Sequence, residues 1–218
     1  YLLVDQRASM FFGSTHKMKS VVGAEVAALL AWQIISHGDR VGCVVFNDNE
    51  VIVIPARRGR QHVLNLLSQV VKLNHQLSAG SVVSSTVSTI NQALAKITGL
   101  CRHDALVISV SDAQHWDEQC TKSIKRLCVH NEYLSYHIYD PLEQQLPPVT
   151  NMVISDGQHQ IQCRGSDKTL AHNYQKHILL QQQHYQKLST RHGAGLVSIS
   201  AAQPLEQQLR ELLAKDRQ

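Results

Sequence analysis

The chain has 218 residues, of which 43% are apolar and 17% charged, and 21 Lys and Arg against 17 Asp and Glu leave a formal net charge of +4. This composition fits a globular rather than a disordered chain, with a sizeable core, sized for a single domain over residues 1–218. Aromatics are only 5% and the one tight basic cluster, Arg57, Arg58 and Arg60, reads as a solvated loop, so the aromatic-interleaved basic face of a nucleic-acid binder is missing and no nucleic-acid partner is expected.

Residues 1–4 form an apolar run that stops at Asp5, a buried strand opening into a polar loop over 5–16. Residues 17–37 read as a helix apolar on most sides, closed by Gly38 as a C′ glycine. The apolar run 40–46, the turn residues Asn47-Asp48-Asn49 and VIVI at 51–54 read as a hairpin whose second strand lies at the sheet edge and ends at Pro55. Val63, Leu66, Leu67, Val70 and Val71 fall at helical spacing; after a polar loop at 80–85, Ile90, Leu94 and Ile97 mark the next helix. ALVISV at 105–110 is a strand stopping at Ser111-Asp112, Cys120, Ile124, Leu127 and Cys128 line a helix, and the strand 133–139 ends at Asp140-Pro141.

Runs at 152–154 and 158–162 flank Asp156-Gly157, a hairpin signal. Leu170, Tyr174, Ile178, Tyr185 and Leu188 predict a long amphipathic helix with Gln181–Gln183 on its solvated face; a strand at 196–199 and a helix over Leu205, Leu209, Leu212 and Leu213 close the chain. Strands alternate with helices throughout. The expected fold class is therefore α/β: a doubly wound, mostly parallel sheet with one antiparallel edge strand, plus a C-terminal strand–helix extension.

The run 21–35 is interrupted by Glu25 and Gln33, too short and mixed to span a bilayer, so no membrane contact is expected from this segment. The chain opens at Tyr1 directly in a strand, which predicts a domain from the C-terminal part of a longer protein and leaves membrane anchoring by a preceding segment open. Cys43, Cys101, Cys120, Cys128 and Cys163 are odd in number and form no CxxC pair; reduced thiols and a cytoplasmic location are expected.

Ligands of open α/β sheets bind at the carboxyl ends of the strands. Three strands here end in an acid, Asp5, Asp112 and Asp140, and Ser9 follows Asp5. Hard oxygen ligands gathered at strand ends suit Mg²⁺, although a single strand-end Asp is more often a cap or turn former. No two of the 13 histidines lie closer than five residues apart, and GxSxG, GxxxxGK[ST] and GxGxxG are all absent. His115 near Asp112 makes only a weak case for a Ser–His pair.

Asp5-Gln6-Arg7-Ala8-Ser9 resembles the DxSxS motif that opens the metal-ion-dependent adhesion site of von Willebrand factor A domains. The stretches LVDQRASMFFGS, GDRVGCVVFND, SVSD and YDPLEQQLP, in that order, are similar to the bacterial family called domain of unknown function 58, itself von Willebrand factor A-like. The resemblance implies a metal ligated by Asp5, Ser9, a middle-loop Thr and Asp112. The middle-loop ligand falls at Ser88, with Thr86 and Thr89 as alternatives.

The departure is Arg7, where the motif has its first serine. Arginine is always protonated and accepts no hydrogen bond, so it cannot ligate a cation and opposes one nearby. Its guanidinium can pair with Asp5 or Asp112 and stand where the ion would stand, which makes the site degenerate and Mg²⁺ an uncertain cofactor; the alternative is an Arg7 that points to solvent beside an intact site. The implied function is a non-enzymatic interaction module, an adaptor for a MoxR-type AAA+ ATPase, whose partner-binding residues are Arg7, Asp5, Ser9 and Asp112. The competing reading is a Mg²⁺-dependent phosphohydrolase using Asp5 and Asp112. That chemistry wants a second carboxylate two residues after Asp5, where this chain has Arg7.

Overall fold

The computed structural model describes residues 1–78, 89–114, 116–144, 152–155, 160–163 and 195–215. Six strands form one sheet: β1 (Leu2–Asp5), β2 (Val41–Phe46), β3 (Val51–Arg57), β4 (Leu106–Ser111), β5 (Glu132–Tyr139) and, last in the chain, β8 (Gly195–Ser200). Their order is β3-β2-β1-β4-β5-β8, parallel throughout except for β3 at one edge. The C-terminal strand thus joins the main sheet, β8 lying parallel to β5. A separate antiparallel pair, β6 (Met152–Ser155) and β7 (Gln160–Cys163), matches the hairpin expected around Asp156-Gly157.

The central strands are apolar on both faces because both faces are covered. Leu2, Val4, Cys43, Val45 and Val110 point to a core shared with α1 (Lys19–Ser36) and α2 (Arg60–His75). Leu3, Val44, Phe46 and Val107 point to a second core under α3 (Thr89–Leu100) and α4 (Glu118–Leu127). The chain also forms a one-turn helix α5 (Pro141–Gln144), unmarked by any periodicity, and a terminal α6 (Leu205–Lys215).

By length and apolarity alone α1 could cross a membrane. In this fold it is a core helix, with Val22, Val26, Ala27 and Leu30 buried on its sheet face. Gly38 follows it with φ +81°, the left-handed C-cap conformation that glycine adopts without strain.

Pro55 does not end β3, which continues to Arg57. An edge strand tolerates a missing N–H, and the register shift between Val41 and Cys43 of β2 absorbs the irregularity. Arg57, Arg58 and Arg60 are all exposed, as expected of a solvated cluster, and Arg60 also lies over the Trp32 ring of α1, 5.8 Å from its centroid. Ser88, Thr86, His115, the 80–85 loop and the amphipathic pattern over 170–188 lie outside the described residues.

Candidate functional site

The site lies at the carboxyl ends of β1 and β4, the adjacent central strands from which the chain departs to opposite sides of the sheet. Asp5, the last residue of β1, is fully buried. Arg7 turns back onto it: Nε lies 3.0 and 3.2 Å from the two carboxylate oxygens and Nη2 lies 2.7 Å from Oδ2. The Arg7 backbone N–H donates to the same carboxylate at 3.0 Å, and Ser111 Oγ donates to Oδ2 at 2.7 Å. The guanidinium also donates to the Gln114 carbonyl at 3.1 Å and stands 5.6 Å from the centroid of the Phe46 ring. Burial works against its charge. Asp5, then Asp112 and Asp48, outweigh that cost and raise its pKa above the ordinary arginine value.

Asp112, which follows β4, is held by a second cation. Lys19 opens α1, its side chain has no solvent exposure, and its Nζ lies 2.9 Å from Asp112 Oδ2 and 2.7 Å from Glu143 Oε1. Asp112 Oδ1 accepts from the Gln114 backbone N–H at 3.0 Å and, at a long 3.4 Å, from Ser9 Oγ. Burial pushes the Asp112 carboxyl up, but the charges of Lys19 and then Arg7 override it and hold the group below the usual carboxylate range. The Lys19 ammonium is raised in turn, because Asp112 and Glu143 outweigh its own desolvation. Glu143 behaves differently: burial dominates and lifts its carboxyl above the ordinary value despite Lys19.

Local geometry supports this arrangement. A Cβ at Gly13 would collide with the Lys17 carbonyl, so the β1–α1 loop that leads to Lys19 needs glycine there. Ala113 has φ +56°, uncommon for a residue with a side chain, and its N–H donates to Ser111 Oγ at 3.0 Å. Asp140, the third strand-end acid, is apart from this pair. It caps α5 through the Leu142 N–H at 2.9 Å and anchors the β1–α1 loop through the Ser14 N–H at 2.8 Å. Asp48, read in the sequence only as a turn residue, receives the Ala8 N–H at 2.6 Å.

The structure therefore brings Asp5, Arg7, Ser9 and Asp112 together. Thr89 is buried at the start of α3. Lys19, Glu143 and Gln114 are site residues that sequence reasoning missed, and Ser111, noted there only as the neighbour of Asp112, holds Asp5. Lys19 lies 93 residues from Asp112 and 124 from Glu143 in the chain, so no local spacing announces it.

These donors do not fit a divalent cation as arranged. Both oxygens of Asp5 face Arg7, and Asp112 is shared among Lys19, Gln114 and Ser9. Two buried cations already hold these carboxylates, Arg7 on Asp5 and Lys19 on Asp112 and Glu143, and a divalent ion beside them would meet their repulsion in a weakly screened interior. Among the described residues no group of three or more His, Cys, Asp or Glu side chains is disposed to hold a metal.

Sheet order and two-sided helical cover define a doubly wound α/β domain, and its fold is like that of von Willebrand factor A domains. Among solved structures it resembles the conserved hypothetical protein BatB from Bacteroides thetaiotaomicron, with TM-score 0.56 at 12% identity over 99% of this chain and 96% of the other. An aerotolerance-related membrane protein from Bacteroides fragilis aligns with TM-score 0.57 at 10% identity, covering 100% and 98%. The SpRpn10 VWA domain aligns with TM-score 0.52 at 13% identity, covering 96% and 92%. At these identities the likeness is one of fold.

The chain belongs to the family described as Protein of unknown function DUF58, which matches residues 1–184. Uncharacterized proteins of Mycobacterium tuberculosis and Mycobacterium bovis are each 26% identical to it over 161 residues, 72% of this chain. The chain spans about half the length of these curated relatives, 48%.

Proposed function

We propose that this domain is a non-enzymatic protein-interaction module, the adaptor-like partner of a MoxR-type AAA+ ATPase, built on an adhesion site in which resident cations replace the metal ion. The observation that carries this reading is the pairing of Arg7 with Asp5 at 2.7 Å, at the position where the DxSxS motif has a serine. The guanidinium supplies in fixed form the positive charge that a bound ion supplies elsewhere, and charge-assisted recognition of an acidic partner then needs no metal. The family's description assigns no activity. A phosphohydrolase reading fares worse, since Asp5, its nucleophile, has both oxygens engaged by Arg7 and Ser111.

We place the domain in the cytoplasm, where buried reduced thiols and an ATPase partner are both at home. One structural neighbour is an aerotolerance-related membrane protein, which supports attachment to a membrane through a segment outside this chain. The test is binding to the MoxR-type ATPase of the same organism, measured by biolayer interferometry with and without EDTA. Binding is expected to be insensitive to EDTA and to weaken by about tenfold or more in a folded Arg7→Ser variant, because Asp5 then stands buried without the fixed charge that shapes the site. EDTA-sensitive binding, or none at all, would contradict the proposal.

A further inference from the structure

Lysine is a poor choice for the first turn of a helix, because the helix dipole places positive potential there and favours acids. Lys19 nevertheless opens the 18-residue α1, with its side chain fully buried. Only its tertiary partners, Asp112 and Glu143, explain it. Such conflicts between local preference and tertiary setting mark functional positions.

The two partners are not equivalent. Asp112 is 3% exposed, sits at the end of a central strand and is held additionally by the Gln114 N–H. Glu143 is 20% exposed and rides on the four-residue helix α5, which is tethered at its start by Asp140. Its Oε1 receives Lys19 at 2.7 Å and Gln114 Nε2 at 3.3 Å. Among the described residues, Arg7 pairs with Asp5, and Lys19 bridges Asp112 and Glu143. Arg7 is not the open member of this set. Its fork is spent on Asp5 and on the Gln114 carbonyl, and its side chain is only 7% exposed.

We propose that the Lys19 ammonium, with the Gln114 amide, is a receptor for an acidic side chain of a protein partner, and that Glu143 holds this place in cis until the partner's carboxylate displaces it. This rests on the interaction-module reading and assigns its contact to Lys19 rather than Arg7. The exchange of one carboxylate for another keeps the charge beside Lys19 and the hydrogen bonds to Lys19 and Gln114 unchanged. It requires that the single turn α5 move outward.

The test uses acetate as the carboxylate probe. Glu143→Ala vacates the place while Asp112 still pairs with Lys19, and Glu143→Ser is the second variant should the first fold poorly. Titration with sodium acetate against chloride at constant ionic strength is followed by NMR, through the Gln114 side-chain amide and the Lys19 ammonium. Both variants are expected to show saturable shifts, half-complete in the millimolar range, whereas the wild type and Glu143→Ala/Lys19→Met do not. A natively folded Glu143→Ala or Glu143→Ser that shows no saturable shift overturns the proposal, as do equal shifts when Lys19 is removed. No partner is needed for this titration, so its failure leaves the adaptor reading standing, while loss of ATPase binding with acetate binding intact removes the adaptor reading alone.

Discussion

Replacing Lys19 with methionine keeps most of the side chain's length and apolar volume and removes only its charge. In the structure this leaves Asp112, 3% exposed, and Glu143, 20% exposed, facing one another without the ammonium that lies 2.9 and 2.7 Å from them. Breaking a buried ion pair by deleting one partner costs roughly 3–5 kcal/mol, because the remaining charge is left desolvated. Two features place the expected loss at the lower end. Arg7 lies close enough to Asp112 to help hold its carboxyl ionised, and Glu143 can turn toward solvent. The expectation is a loss of about 3 kcal/mol. That corresponds to a fall in Tm of roughly 6–12 °C for a domain of this size. Urea and thermal unfolding followed by circular dichroism measure both quantities. Adding Asp112→Asn to Lys19→Met is expected to recover about half the loss, since an amide has no charge to strand. A loss below about 1 kcal/mol would refute the reasoning, for that is the worth of an exposed surface pair and would mean the site is wet.

Glu143→Gln is expected to gain stability relative to wild type as pH rises from 4 to 7, as read from urea midpoints in a pH series. Burial raises the folded-state pKa of Glu143, so its contribution is fully present below the unfolded value of about 4.3 and is lost as pH climbs through the folded one. Asp112→Asn should behave in the opposite sense, falling behind wild type above pH 4, because a depressed folded pKa contributes stability above the unfolded value of about 3.9. Arg7→Lys retains the charge but not the planar fork that engages both Asp5 oxygens, and chemical denaturation should show a loss of about 1–3 kcal/mol. Ala113→Gly should be neutral or stabilising by up to about 1 kcal/mol in the same assay, since glycine relieves the left-handed backbone at φ +56°.

The fold was readable from the chain because strand and helix periods alternate cleanly and each run has turn chemistry at its ends. The central runs LLV and VGCVVF are apolar without interruption, which marks strands covered on both faces, and VIVI next to Asn47-Asp48-Asn49 marks the antiparallel edge. Pro55 misled because its missing N–H matters in a central strand and is tolerated at an edge.

Half of the candidate site was readable too. Asp5, Arg7 and Ser9 lie within five residues, and the sequence already posed the question of where a guanidinium beside Asp5 would go. The other half depends on long-range placement. Lys19 at a helix start looks like an ordinary surface lysine until the sheet brings Asp112 and α5 around it. Glu143 stands on a turn too short to leave a periodic trace. Asp140 showed the same signal as Asp112 at the end of its strand and became a helix cap, since its nearest donors are backbone N–H groups rather than a cation.

The central claim is that Arg7 and Lys19 stand in for a metal, and the most direct measurement is a calorimetric Mn²⁺ titration of the wild type, Arg7→Ser, Lys19→Met and the double variant. Each single variant keeps one fixed cation beside a carboxylate of the site, so saturable uptake is expected in the double variant alone, with the wild type silent at millimolar Mn²⁺. Micromolar binding of Mn²⁺ by the wild type would contradict the account, because no ion could bind so tightly with both resident cations in place.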